Sequence, residues 1–183
     1  YEGWFYEGAG IYRHVWLNQF PNVHIEENGI FASSFVRDDQ GYITVSTTLA
    51  NKNLGEEPAE VQVYCYVTDR NGKKIAESAQ NKIEINPQQS RTETQLLPIA
   101  YPHLWSLEDP YLYKVYAVIK SGSRIIDTQK IRFGIRTIKI DVAQGLFLNG
   151  KHVKLQGVNC HQDHAGVGSA MPDRLQYYRV ALL

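Results

Sequence analysis

Hydrophobic and polar residues alternate along most of the chain from about residue 22 to residue 142. This period of two is typical of strands that bury one face and expose the other, whereas helical spacing is scarce in the same region. The two clearest runs place small apolar or β-branched residues at every second position: Ile43, Val45, Thr47 and Leu49 in the first, and Val61, Val63, Cys65 and Val67 in the second. Both runs predict half-buried strands.

Turn signals recur every 8 to 15 residues between the alternating runs. Asn71-Gly72 predicts a tight hairpin, because glycine and asparagine tolerate the positive φ angles that such turns require. Asn86-Pro87 ends a run that contains Ile83 and Ile85, and the segments 113–119 and 131–135 supply later strands. Many short antiparallel strands without helices predict an all-β fold, an immunoglobulin-like antiparallel β-sandwich.

The two ends of the chain differ from this middle. Residues 10–17 form one strand-like segment that would need partners from elsewhere. Asn149-Gly150 predicts a second hairpin within 145–155, and residues 155–159 are a candidate buried strand. A glycine-rich loop follows, and Pro172-Asp173 predicts a helix start whose apolar face carries Leu175, Tyr178 and Leu182. A hairpin followed by strand, loop and helix therefore closes the sequence.

Charge and cysteine content exclude several classes of function. The chain has 19 basic and 19 acidic residues, so no net field draws it to nucleic acid or to an anionic membrane. No apolar run approaches the roughly 20 residues of a membrane span. Cys65 and Cys160 are far apart in unlike surroundings, which argues against a disulfide framework. We expect a soluble chain, whose compartment (cytoplasm, periplasm or exterior) the residues leave open.

Three separated segments carry a family resemblance. They are Gly8 to Leu17, the stretch Leu104-Trp105-Ser106 through Pro110-Tyr111-Leu112-Tyr113, and Phe133-Gly134-Ile135-Arg136 followed by Phe147-Leu148-Asn149-Gly150-Lys151. In this order they resemble glycoside hydrolase family 2, at the end of its jelly-roll domain, in its immunoglobulin-like domain and at the entry to its (β/α)8 barrel. The resemblance covers almost the whole chain.

A fourth segment, residues 157–164, resembles the family's Gly-Val-Asn-Arg-His-Glu-His-His motif after the first barrel strand. It departs from that motif at Cys160, Gln162 and Asp163. The resemblance implies that His161 lies in the sugar pocket, with Asn159 and Asp163 as further substrate-binding candidates. It also implies a parent enzyme that hydrolyses terminal β-linked sugars with retention, using two glutamates that we expect beyond Leu183. We therefore expect no catalytic residue in this chain and no activity from it alone.

The resemblance implies a division into three parts. Residues 1–20 would end a jelly-roll sugar-binding domain, residues 21–141 would be the sandwich, and residues 142–183 would begin a truncated TIM barrel. Carbohydrate would reach the parent enzyme as substrate, and the sandwich would have the jelly roll and the barrel as its partners. β-Galactosidase activity is the leading expectation, ahead of β-glucuronidase and β-mannosidase. The alternative is a free-standing binding or adhesion module of immunoglobulin or fibronectin type, which fold alone does not exclude.

Several residues have two interpretations. His161, Asp163 and His164, with Cys160 beside them, are of the types that bind zinc, but their spacing matches no standard zinc site, and we assign no metal or cofactor. The aromatic residues are of the types that form a sugar-stacking platform, but core packing is favoured for Trp105, Tyr111, Tyr113 and Tyr116. Tyr111 and Tyr113 have strand spacing, and a buried tryptophan is common near the corner of a sandwich. Cys65 is expected to be a small buried residue. The acidic pairs Glu26-Glu27, Glu56-Glu57 and Glu108-Asp109 are expected on the surface rather than as a catalytic pair.

Overall fold

A computed structural model describes residues 10–161 and 163–183. Within these ranges the residues form two compact units, one of residues 20–155 and one of residues 10–19 with 156–183. Gln162 and the start of the first resemblance segment, Gly8-Ala9, lie outside the described residues. No helix of the described part is long and apolar enough to cross a membrane.

The larger unit is built from eleven antiparallel strands. In chain order they are β1 (Val23–Arg37), β2 (Gln40–Asn51), β3 (Ala59–Thr68), β4 (Lys74–Glu77), β5 (Asn81–Ile85), β6 (Ser90–Ala100), β7 (Tyr113–Ser121), β8 (Arg124–Phe133), β9 (Ile138–Asp141), β10 (Gly145–Leu148) and β11 (Lys151–Val153). One sheet has the order β1-β2-β6, and a second has the order β4-β3-β7-β8 with β5 also paired to β3. The predicted all-β sandwich is confirmed.

The core lies between these two sheets. Every second residue of β2 and β3 is buried, because period-two alternation turns one set of side chains toward the facing sheet. The buried cluster draws on both sheets and contains Ile25, Ile43, Val45, Leu49, Val61, Val63, Cys65, Val67, Ile83, Ile85, Leu97, Ile99, Tyr113, Val115, Ala117, Ile119 and Ile135 among others. Cys65 is fully buried, as predicted, and burial raises the pKa of its thiol to about 11.

The two asparagine-glycine sequences form different turns. Asn149 and Gly150 both have positive φ (50° and 76°) and join β10 to β11 as a two-residue turn, as predicted. Between β3 and β4 only Gly72 has positive φ, at 88°. There the Asp69 carboxylate accepts hydrogen bonds from the Asn71 and Lys73 amides, both 2.9 Å, and holds a longer turn. The hairpin is confirmed, but its turn is shaped by Asp69.

The aromatic predictions have mixed outcomes. Tyr113 is buried and Tyr111 packs against the core, so both are confirmed. Tyr116 was wrongly predicted to be in the core. It lies three residues after Tyr113 on β7, and an odd spacing along a strand places its ring on the opposite, outward face. It stacks there on Tyr66, with ring centroids 4.5 Å apart. Trp105 is half-buried at the corner of the sandwich rather than in the core cluster.

In the smaller unit the helix is confirmed and the strands are not. Helix α1 spans Asp173–Ala181, with Pro172 as its extended N-cap rather than its first helical residue. None of its residues is fully buried; on the predicted apolar face Tyr178 and Leu182 are exposed and Leu175 is half-buried. Residues 155–159 are exposed and have no strand assignment, so the predicted buried strand is wrong for this structure, and 10–17 likewise contains no strand. Extended segments without a hydrogen-bonding neighbour have nothing to hold them as strands.

Candidate functional site

The loop that carries the predicted sugar-binding residues lies in the smaller unit and precedes α1. Asn159 and His161 are exposed and Asp163 is half-buried. A turn follows directly, in which His164 and Gly168 pair and the Gly168 amide donates to the His164 carbonyl at 2.9 Å. The three predicted residues are therefore close in sequence on one open loop, and their assignment to a sugar pocket remains a prediction.

The side chain of Arg179, on α1, reaches back to this loop. Its Nη2 donates to the carbonyl oxygen of His161 at 2.9 Å, and its Nη1 donates to the carbonyl oxygen of Asp163 at 3.2 Å. The same guanidinium contacts the thiol of Cys160 and lies 3.2 Å from the sulfur of the buried Met171. Sequence reasoning missed Arg179, because its only sequence signal is a basic residue in the last turn of a helix.

The described part of the chain contains no group of three His, Cys, Asp or Glu side chains that could hold a metal ion. Near the other end of the same unit, His14 Nε2 pairs with the Asp173 carboxylate at 3.1 Å, in the first turn of α1. That carboxylate is well placed at the helix N-terminus, where the partial positive charge of the helix favours an anion.

In the larger unit, two of the resemblance segments meet around Trp105. A methyl group added at Gly134 would lie 2.9 Å from Cβ of Trp105, so the indole sits directly on a glycine. The Arg136 guanidinium lies 4.9 Å from the centre of the Trp105 ring. Asn149 donates from Nδ2 to the Trp105 carbonyl at 2.9 Å and accepts from the Thr137 amide at 2.9 Å. These residues join the corner of the sandwich to a small third sheet, which has the strand order β11-β10-β9.

A separate polar cluster in the larger unit surrounds Asp109. Its carboxylate pairs with the Arg70 guanidinium at 2.7 Å and with His103 Nε2 at 2.7 Å. The hydrogen bond from Arg70 is the largest cause that lowers the pKa of Asp109 below its ordinary value. Arg70 also lies 4.5 Å from the centre of the Tyr111 ring. Because these groups neutralise one another, the cluster is suited to holding a corner together rather than to acid–base chemistry.

The acidic pairs that the sequence places in turns lie mostly at the surface. Glu27, Glu56, Glu57 and Glu108 are exposed, as predicted, whereas Glu26 is half-buried and accepts a hydrogen bond from Ser90. Retaining glycosidases need two carboxyl groups about 5–5.5 Å apart on either side of the scissile bond.

Comparison with known proteins identifies the family. The model of the family described as "Glycosyl hydrolases family 2" matches residues 23–136, which is more than half of the chain. The chain belongs to glycosyl hydrolase family 2. The resemblance seen in the sequence is thereby confirmed, and the matched residues span both sheets of the sandwich and end at Arg136, beside Trp105.

Relatives within family 2 have more than one named activity. A β-galactosidase of Bacteroides ovatus is 32% identical over 92% of this chain, which covers 20% of the relative. A β-glucuronidase of Formosa agariphila is 29% identical over the whole of this chain, which again covers 20% of the relative. A crystal structure of a family 2 member from Bacteroides cellulosilyticus superposes with a TM-score of 0.85 at 29% identity, over 97% of this chain and 23% of that one. The chain spans about a fifth of the length of the curated relatives it matches.

Proposed function

We propose that this chain is part of a retaining exo-β-glycosidase that removes terminal β-linked sugars, with β-galactosides as the preferred substrates. The observation that carries the proposal is the family match together with 32% identity, over 92% of the chain, to a protein named β-galactosidase. β-Glucuronides are the second candidate class, because a relative with that name matches the whole chain.

Within such an enzyme the larger unit would act as the structural sandwich between a jelly-roll domain and a catalytic barrel. The outer face of the β1-β2-β6 sheet supports this role, because it exposes Phe31 and Leu96 and a stacked Phe35–Tyr42 pair with ring centroids 4.7 Å apart. Between these rings the sheet presents short hydroxyl side chains rather than charges, such as Ser46 opposite Phe31. A sheet face with exposed aromatic rings and few charges is typical of a surface that another domain covers.

His161, Asn159 and Asp163 would line the sugar pocket of the whole enzyme. An exposed imidazole on an open loop can donate to or accept from a sugar hydroxyl. The loop's resemblance to the family motif supports this assignment. The two catalytic glutamates would come from barrel strands beyond Leu183, as the resemblance to the family implies.

The test is to assay the full-length protein that carries this chain against aryl β-galactoside, β-glucuronide and β-mannoside. We expect the galactoside to have the highest kcat/KM. His161→Ala should lower kcat/KM about fivefold, since one hydrogen bond contributes about 1 kcal/mol and a factor of ten corresponds to about 1.4 kcal/mol. His152→Ala, an exposed histidine on β11, is the matched control and should leave kcat/KM unchanged.

Each outcome separates the hypotheses. A full-length protein that cleaves none of the three glycosides but binds glycans or proteins would favour the free-standing binding module. Preferential cleavage of the glucuronide would keep the glycosidase and change its substrate. An unaltered kcat/KM in the His161→Ala variant would remove this residue from the pocket.

A further inference from the structure

The guanidinium of Arg179 joins a helix to the loop that carries two of the proposed sugar-binding residues. Its two terminal nitrogens donate to the carbonyl oxygens of His161 and Asp163, at 2.9 Å and 3.2 Å. The acceptors are backbone atoms, so these bonds constrain the path of the main chain on both sides of residue 162. The directions in which the side chains of His161 and Asp163 leave the chain depend on that path.

The chemistry of arginine suits this task. Its planar fork presents donors at fixed angles and stays charged at all ordinary pH values, so one side chain can bridge two carbonyl groups rigidly. Met171, which is 4% exposed, lies against the same guanidinium and limits its movement. A lysine ammonium would keep the charge but not the fork.

A third contact involves Cys160. The Nη2 group of Arg179 lies against the Cys160 thiol as well as the His161 carbonyl oxygen. Arg179 therefore contacts three residues of the loop, which are Cys160, His161 and Asp163.

We propose that Arg179 is a positioning residue for sugar recognition, which holds the backbone at His161 and at Asp163 without touching the substrate. This inference rests on the proposed function. Without the guanidinium the loop would sample other conformations, and the apparent affinity for the sugar would fall in proportion to the fraction of molecules with the competent loop. Because binding of the ground state and the transition state would fall together, KM should rise more than kcat falls.

The experiment compares Arg179→Ala, Arg179→Lys and Arg174→Ala in the full-length protein, with the best aryl glycoside as substrate. Arg174 is an exposed arginine on the same helix and is the matched control. We expect Arg179→Ala to raise KM about tenfold, which corresponds to a competent fraction of roughly one tenth. Arg179→Lys should lie between this variant and the wild type, and Arg174→Ala should match the wild type.

Two further readouts separate positioning from a general loss of structure. Millimolar guanidinium ion should lower the KM of Arg179→Ala toward the wild-type value, whereas sodium chloride at equal ionic strength should not. Amide hydrogen exchange should become faster at residues 160–164 in this variant and stay unchanged in β2 and β3. If Arg179→Ala fails to fold, Arg179→Lys provides the same comparison of KM and hydrogen exchange.

A wild-type protein without activity on any glycoside would refute the proposed function, whereas the hydrogen-exchange result would still report on the tie between Arg179 and the loop. An active wild type whose KM and loop exchange are unaffected by either substitution of Arg179 would overturn this inference alone. Equal losses in Arg179→Ala and Arg174→Ala would also overturn it.

Discussion

At the residue scale, two small residues, Gly134 and Cys65, are closely packed against their neighbours. Gly134 has Trp105 directly on its α-carbon, and Cys65 fills the core beside Thr47 with a sulfur–oxygen distance of 3.7 Å. Neither residue offers a reactive group at neutral pH. Glycine has no side chain, and the Cys65 thiol stays protonated below its raised pKa of about 11. Both residues matter for the volume of their side chains, because a close-packed interior tolerates only small changes in side-chain volume.

Gly134→Ala should destabilise the protein by about 1–3 kcal/mol, because the new methyl group would overlap the Trp105 side chain. The measurement is chemical denaturation, followed through tryptophan fluorescence. Gly55→Ala is the matched control, since a methyl group there would meet nothing within 4 Å and should change stability little. Equal stability of the two variants would mean that the indole moves aside without cost.

At the element scale, the β9–β11 sheet shows how a hairpin becomes attached to a sandwich. The two-residue turn at Asn149-Gly150 closes the hairpin, and the Asn149 side chain then bonds the Trp105 carbonyl and the Thr137 amide. One residue thus shapes the turn and holds the hairpin sheet to the corner of the sandwich. Two resemblance segments far apart in sequence, one around Trp105 and one around Asn149, therefore meet in the folded chain.

Asn149→Ala and Asn149→Gly should both destabilise the protein, by about 1–3 kcal/mol, because each leaves the Trp105 carbonyl and the Thr137 amide without their partner. Glycine adopts the positive φ of this position easily, so Asn149→Gly should be the milder of the two. Thermal unfolding measures both, and Asn71→Ala, at an exposed asparagine with ordinary φ, is the control. A fully stable Asn149→Gly variant would show that only the turn conformation matters.

At the scale of the whole molecule, this family 2 chain contains a complete two-sheet core and a smaller unit in which few residues are buried. Among the described residues of the range 156–183, only Met171 is buried. Proposed sugar contacts thus lie on a loop that the larger unit does not include. A (β/α)8 active site is assembled from the ends of several strands, so a single loop followed by one helix offers no complete pocket.

We therefore expect the purified 183-residue chain to be inactive on a chromogenic β-galactoside, at concentrations where the full-length protein turns over readily. The reason is that the proposed catalytic pair and most of the pocket wall are not among its residues. Hydrolysis by this chain that survived His161→Ala would contradict the expectation. A trace of contaminating enzyme is recognised because its activity would not follow the elution of the chain.

The sequence alone was enough to predict the sandwich, both hairpins, the helix and the family, because alternation, turn residues and capping are properties of neighbouring residues. Tertiary structure decided the rest. Tyr116 points outward because the register of β7 put Tyr113 in the core, and residues 155–159 stay irregular because a strand needs a partner to accept its hydrogen bonds. The Arg179 contact joins residues 16 and 18 positions apart, and such a contact depends on how the chain folds back rather than on any local pattern.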